Sequence, residues 1–279
     1  MALRSFIINW VIAGILILGS GNLSTAEDIT FQGLSKTESG DLVTLKGKLT
    51  RPEGDRPFPA IVMVHGCRGI VKFNDDWAKR LAKLGYVALQ VDHFGPRGIA
   101  EACGKPSLVP FSIRTQDAYD AKAFLGKLPF VDRSRIAVMG WSQGGITVLS
   151  AVSRTNYDSW GKSIAGDLAR REDSFRAAIA FYPYCNGKLD DTNAPLLILM
   201  GELDTWCPAA LCQANMPKEK AANEVILKIY SGAYHLFDSE GEDSVQMLGG
   251  GVKHQRLSNP EALADSIVQV REFLAKHLK

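Results

Sequence analysis

An excess of charge of either sign is missing from this sequence: 32 lysines and arginines stand against 30 aspartates and glutamates, a formal net charge of +2 over 279 residues. Charge so nearly cancelled offers no basic field for nucleic acid or an anionic membrane, and excludes both as the main partner. Repeats of fixed period and long low-complexity tracts are absent too, which argues against a solenoid or a disordered scaffold. Zinc-type spacing is not found either, because Cys207 and Cys212 lack a matching Cys or His pair. Nor is there a hydrophobic run of membrane-spanning length. Phe6 to Leu18 is interrupted by Asn9 and Gly14 and falls short of the roughly 20 residues a span needs.

That short run has another use. Arg4 precedes it, Gly19 to Asn22 is turn-prone, and Ser24-Thr25-Ala26 places small residues where a signal peptidase reads. The order is that of a secretory leader, residues 1–26, cleaved after Ala26; an uncleaved anchor is the alternative. Cleavage would leave Glu27 to Lys279, enough for one large α/β domain, exported to a periplasm or beyond, with no stable membrane association. Export gives meaning to the five cysteines, Cys67, Cys103, Cys185, Cys207 and Cys212, since disulfides persist in an oxidising compartment. An odd number leaves at least one thiol unpaired within the chain.

Along the chain, Ile29 to Pro52 reads as a β-hairpin turning at Gly40-Asp41. Ala60 to Val64 is a continuous apolar run, as expected of a strand buried on both faces, and Tyr86 to Val91 is a second. Arg135 to Met139, Ala177 to Phe181, Leu196 to Met200 and Val225 to Ile229 continue the series. Helical spacing falls between them at Trp77 to Leu84, Arg114 to Leu128 and Gln143 to Val152. Asn259-Pro260 opens a last helix, as N-cap and first-turn proline. Such alternation predicts a mainly parallel sheet covered by helices on both faces, with an antiparallel beginning. Ser153 to Arg176 reads as a polar excursion, and Asp238 to Ser258, with Gly249-Gly250-Gly251, as a mobile loop.

Gly140-Trp141-Ser142-Gln143-Gly144 is the one G-x-S-x-G in the chain. Composition alone produces such a match in roughly one chain of this size in ten, so the context has to carry the argument. A buried strand stands directly before it and a helix directly after, which is what a nucleophile elbow requires. Gly140 and Gly144 are needed where a Cβ would collide. A serine hydroxyl needs an adjacent base, and in this arrangement an acid and then a histidine follow in loops after later strands. Asp204 lies past Leu196 to Met200, and His235 past Val225 to Ile229. Glu202 competes with Asp204 but lies nearer its strand. His254, His277 and His93 are placed less suitably, in a loop, in the last helix and ahead of the nucleophile. Backbone N–H groups of Cys67, in the loop after Ala60 to Val64, and of Gln143 are the expected oxyanion donors. His65 reads as a structural histidine. Arg97 reads as a loop anchor rather than a contact for a substrate carboxylate. Trp141 and Trp206 read equally as core aromatics or walls of a substrate pocket.

The segments PAIVMVHGCRG (Pro59–Gly69), DHFGPRG (Asp92–Gly98), GWSQGG (Gly140–Gly145), LILMGELD (Leu197–Asp204) and YSGAYHLFD (Tyr230–Asp238) resemble those of the dienelactone hydrolase family, over nearly all of Glu27 to Lys279. The resemblance implies an α/β-hydrolase fold with an eight-stranded sheet and no large lid, and a Ser142–Asp204–His235 triad. It also carries two departures: well-known members use a cysteine where Ser142 stands, and a glutamate where Gly66 stands. The expectation is therefore an exported serine hydrolase of small carboxylic esters, lactones included, working through an acyl-enzyme. Such chemistry needs neither metal nor organic cofactor. Hydrolysis of polyesters, polysaccharide esters or peptides on the same fold is the nearest alternative, and a non-catalytic binding protein the more distant one. Secreted relatives with similar segments imply pairing of Cys67 with Cys103 and of Cys185 with Cys212, leaving Cys207 as the odd thiol.

Overall fold

Seven consecutive buried residues, Phe58–Val64, form β3, and the protein is assembled around that strand. The computed structural model describes residues 26–36, 40–154, 174–219, 221–241, 243–247 and 253–278. All but Ala26 of the expected leader (1–26), and most of the expected polar excursion (155–173 of 153–176), lie outside them. The chain runs β1 (Glu27–Lys36), β2 (Leu42–Thr50), β3, α1 (Lys72–Lys83), β4 (Val87–Asp92), α2 (Phe111–Leu125), β5 (Val131–Trp141), α3 (Gln143–Val152), β6 (Ala178–Phe181) and β7 (Leu196–Gly201). It continues through α4 (Ala209–Asn215), β8 (Val225–Tyr230), β9 (Ser244–Met247), β10 (Lys253–Arg256) and α5 (Pro260–His277).

Eight strands form one sheet in the order β1-β2-β4-β3-β5-β6-β7-β8, flanked by helices on both faces. β1, β2 and β4 pair antiparallel and the remaining neighbours parallel. Burial follows position: β3, β6 and β7 are buried at every residue, whereas the outer β1 alternates exposed and buried positions over its second half. From β3 the chain goes to β4 on one side and then to β5 on the other. Order reverses at that point, and the carboxyl ends of β3 and β5 open a crevice there.

Several elements depart from the sequence expectation. Helix α1 begins at Lys72, a turn early, because the Asn74 side chain accepts the N–H of Val71 and caps it. Gly85 then ends the helix at φ +92°. Helix α2 buries a second, polar face: Asp117 receives the Ser35 hydroxyl and Asp120 the N–H of Leu34, fastening the edge strand β1. The loop expected over Asp238 to Ser258 contains the antiparallel hairpin β9–β10. Its short strands are too polar to show an apolar alternation, and the glycine triplet falls in 248–252, outside the described residues. The last helix is capped as expected, Asn259 accepting the N–H of Ala262 at 3.0 Å. Among the described residues no helix is long and apolar enough to cross a membrane.

Two disulfides, Cys67–Cys103 and Cys185–Cys212, are present, and Cys207 is a free, buried thiol. The second ties the loop after β6 to α4 across 27 residues of sequence. Cross-links of this span restrict the unfolded chain by about 3–4 kcal/mol in the loop-entropy account. Replacing both Cys185 and Cys212 by alanine is expected to lower the urea-unfolding free energy by about that amount. An unchanged unfolding midpoint would show that α4 holds its place without the bridge.

Candidate active site

Ser142 sits between the end of β5 and the start of α3 at φ 53°, ψ −116°, a backbone state that side chains rarely adopt. Close crossing of chain segments holds it there. A Cβ on Gly144 would collide with the carbonyl oxygens of Val64 and His65, and one on Gly140 with the carbonyl of Gly144. The elbow is thus pressed onto β3, and only glycine fits at either crossing. Ser142 also donates its N–H to the Phe181 carbonyl at 2.9 Å, locking the turn to β6. Tyr182 and Leu236 are the other non-glycine residues with positive φ among the described residues, and both border the same site. Strain gathers here because packing and hydrogen bonds over-determine the backbone.

His235 lies in the loop after β8, and its Nε2 is 3.0 Å from Ser142 Oγ. Its Nδ1 is 2.6 Å from Asp204 Oδ2. Two backbone N–H groups, of Trp206 and Cys207, donate to Asp204 Oδ1 at 2.8 Å each, so the carboxylate is oriented before it meets the imidazole. Rings of Tyr182 and Trp206, at 4.6 and 5.0 Å, flank the imidazole. Glu202 does not reach it: its carboxylate takes Ser231 Oγ and the Gly232 N–H, and these bonds hold its pKa below the usual range. It braces the turn that delivers His235.

The remaining histidines have other duties. His65 is buried, donates from Nδ1 to the Gly66 carbonyl and accepts the His93 N–H at Nε2, which makes it a neutral structural ring. His93 meets Asp117 at 2.9 Å. Arg97 grips both oxygens of Asp117, Ser35 Oγ and the His93 carbonyl, and so is the loop anchor. His254 bonds Thr205 and packs on Trp206, and His277 contacts Glu224. Ligand-capable atoms of Asp204, Cys207 and His235 lie within 4.8 Å of one another. A metal there would displace the proton that joins Asp204 to His235.

A recess of about 340 Å³, counting its open mouth, lies above Ser142. Cys67 of the β3 loop lines it, whereas Gln143 starts α3 and turns its side chain away to the Ala102 carbonyl at 3.0 Å. Trp141 and Trp206 both reach the recess, but differently. Trp141 is wholly buried and forms its floor, while the half-buried Trp206 forms a wall.

Four important residues escape local pattern reading. Asp238, three residues after His235, accepts Trp77 Nε1, Trp141 Nε1 and the Tyr182 hydroxyl at 2.8, 2.9 and 2.6 Å. Burial pushes its carboxyl up, and these three neutral donors oppose the rise. The aspartate thereby ties together rings from α1, β5 and the loop after β6, of which Tyr182 packs on the histidine. Arg114 is buried beneath the β3 loop. Arg68 and Arg256 face the recess, the latter from β10 with its guanidinium 5.2 Å over Trp206.

A model described as the dienelactone hydrolase family matches residues 45–278. A Yersinia pestis protein named as a carboxymethylenebutenolidase is 25% identical over 197 residues, covering 66% of this chain and 70% of its own length. Among solved structures, a dienelactone hydrolase-like promiscuous phosphotriesterase from metagenomic libraries aligns at TM-score 0.65 and 17% identity, over 92% of this chain and 100% of that one. Thermogutta terrifontis esterase 2, phosphorylated by paraoxon, aligns at TM-score 0.61 and 18% identity, over 90% of this chain and 94% of its own. These structural likenesses speak for the fold.

The buried histidines make stability depend on pH. Burial first, and then the nearby Arg114, holds the pKa of His65 and of His93 well below 6.5. Below the unfolded value protons therefore bind the unfolded chain more readily. Stability should be complete above about pH 6.5 and fall on acidification, by up to about 1.4 kcal/mol per unit for each ring. Asp117 and Asp238, raised by burial, act in the opposite sense from about 3.8 upward. Urea midpoints between pH 7.5 and 5 should show the fall, and His93→Gln should remove roughly half of its slope. Flat midpoints across that range that His93→Gln leaves unchanged would mean that His93 is not held neutral by the fold.

Proposed function

The chain belongs to the dienelactone hydrolase family, and from that premise we propose that it is an exported serine hydrolase of small carboxylic esters. The observation that carries the reading is the continuous chain Ser142 Oγ–His235 Nε2–Asp204, with links of 3.0 and 2.6 Å. His235 Nε2 takes the Ser142 proton as Oγ attacks the ester carbonyl. Asp204 keeps the other ring proton on Nδ1 and stabilises the imidazolium that forms. The backbone N–H groups of Cys67 and Gln143 receive the developing oxyanion, and Gln143 is suited to this because the first N–H groups of a helix have no intrahelical partner. His235 returns its proton to the leaving alcohol. It then deprotonates a water that releases the acid from Ser142. Every proton moves between residues of this chain, water and substrate.

The recess suggests which esters these are. With its open mouth discounted, the recess has room for little more than one water-sized centre, about 20 Å³, and so suits a short acyl group. Two arginines border it, with Glu101 near Arg68 offsetting some of the charge. Burial and then the charge of Arg256 both depress the pKa of Arg68, and an anionic group between the guanidiniums would relieve that repulsion. Esters or lactones carrying a carboxylate are the preferred class, in keeping with the lactone-cleaving name of the Yersinia pestis relative. Export is supported by the leader-like first 26 residues and by two disulfides, which persist outside the cytosol.

A fluorophosphonate probe should label the folded protein, and Ser142→Ala should abolish both labelling and turnover of a short p-nitrophenyl ester. Failure of the wild type to label would overturn the reading. Arg256→Glu should raise KM for a hemisuccinate ester by roughly tenfold or more relative to a neutral ester of equal size. Equal changes for the two substrates would remove charge from the account of specificity.

A further inference from the structure

We infer that Arg114 is a positioning residue that sets the spacing of the two oxyanion donors; the inference rests on the serine-hydrolase reading of Ser142. Those donors belong to separate segments. Cys67 lies in the loop after β3, between Gly66 and Gly69, where backbone freedom is high, and Gln143 heads α3. Nothing in the sheet pairing fixes the loop, since the β3–β5 register ends at Val64 and Gly140.

Arg114 supplies a side-chain link beside the backbone crossing at Gly144. It stands on α2 and is fully buried. One terminal nitrogen, Nη2, donates to the His65 carbonyl, fixing the peptide directly before the one that carries the Cys67 N–H. The other, Nη1, donates to Gln143 Oε1 at 3.2 Å. Gln143 Nε2 continues to the Ala102 carbonyl at 3.0 Å, and the Ala102 N–H returns to the Cys67 carbonyl at 2.8 Å. Cys67 is in turn bonded covalently to Cys103, the neighbour of Ala102. A closed ring of contacts therefore runs from guanidinium to β3 loop, to Ala102, to the first residue of α3 and back.

A stable fold has little need of this arrangement. Burial depresses the guanidinium pKa to about 9, and Arg114 Nε meets no acceptor among the described residues. Both oxygens of the nearest acid, Asp117, are already held by Arg97, with Ser35 and His93 as further partners. A buried cation bonded only to neutral acceptors is costly compared with an apolar side chain of similar volume. What the guanidinium offers, and no apolar residue could, is two rigidly spaced donors facing two segments at once. Oxyanion donors act by being in place before charge develops, and a displacement of about 1 Å can lower the rate about 100-fold. Loss of the fork should therefore act on kcat and leave substrate binding nearly intact.

The test compares wild type, Arg114→Gln, Gln143→Met and the double variant on a short neutral p-nitrophenyl ester. Active sites are counted by fluorophosphonate labelling run to completion, so kcat refers to competent enzyme. Gln143→Met keeps the backbone N–H and removes both side-chain links. Each single variant is expected to lose kcat by roughly tenfold or more with KM changed by less than about threefold. The double variant should lose no more than the worse single one, because both break the same ring. A kcat loss below tenfold in either folded single variant, a loss confined to KM, or full additivity would overturn the inference. Should Arg114→Gln fail to fold, Gln143→Met decides by the same threshold. A wild type that neither labels nor turns over would refute the hydrolase reading and the inference with it. Turnover by wild type and undiminished kcat in the variants would refute the inference alone.

Discussion

Backbone touching backbone, where Gly144 of α3 meets the carbonyls of Val64 and His65 at the end of β3, is the contact on which the rest of the site depends. It brings the β3 loop and the serine turn side by side at the mouth of the recess. It also forces Ser142 into its positive-φ state, because α3 can start that close to β3 only if the chain reverses within one residue. A similar crossing serves the histidine, where a Cβ on Gly201 would stand 2.6 Å from the Ala233 carbonyl. Glycine at the ends of β5 and β7 thus does for two loops what no side chain could.

Strain of this kind persists only if something opposes its release. Ser142 is held by Phe181, Tyr182 by the N–H it gives to Leu199 and the hydroxyl it gives to Asp238, and His235 by Asp204 and its flanking rings. Asp238 is the least expected member of this set, since a buried carboxylate normally finds a cation. Three neutral donors from distant parts of the chain take that place, and the acid acts as a fastener for aromatic rings. The cluster stiffens the frame around Ser142 and His235, whose alignment the proposed chemistry requires.

The strands and the Ser142–Asp204–His235 order were legible in the sequence because each is coded locally. Continuous apolar runs mark strands buried on two faces, and the acid and histidine follow such runs directly. Asp204 could be preferred to Glu202 by its position alone, and the structure shows Glu202 occupied with the turn at Gly232. Other features have no local signature. Asp238 is joined to Trp77 across 161 residues, and Arg114 to His65 across 49, so neither looks different from an ordinary charged residue in one dimension. Helix α4 has seven residues, too few for a period to declare itself. The hairpin β9–β10 lacks the apolar alternation by which strands are read, and Asp238 to Ser258 therefore resembled a plain loop.

That hairpin sits in the chain after every residue of the Ser–His–Asp array and after the whole eight-stranded sheet. It meets the site along one edge: a bridge between His235 and Arg256, bonds from Thr205 to His254 and to the Lys253 carbonyl, and the His254 ring and Arg256 guanidinium resting on Trp206. The Ser142–His235–Asp204 array and one wall of the recess are consequently written in different stretches of the polypeptide. Mutation can redraw the wall, its charge and its reach without disturbing the glycine crossings that hold Ser142.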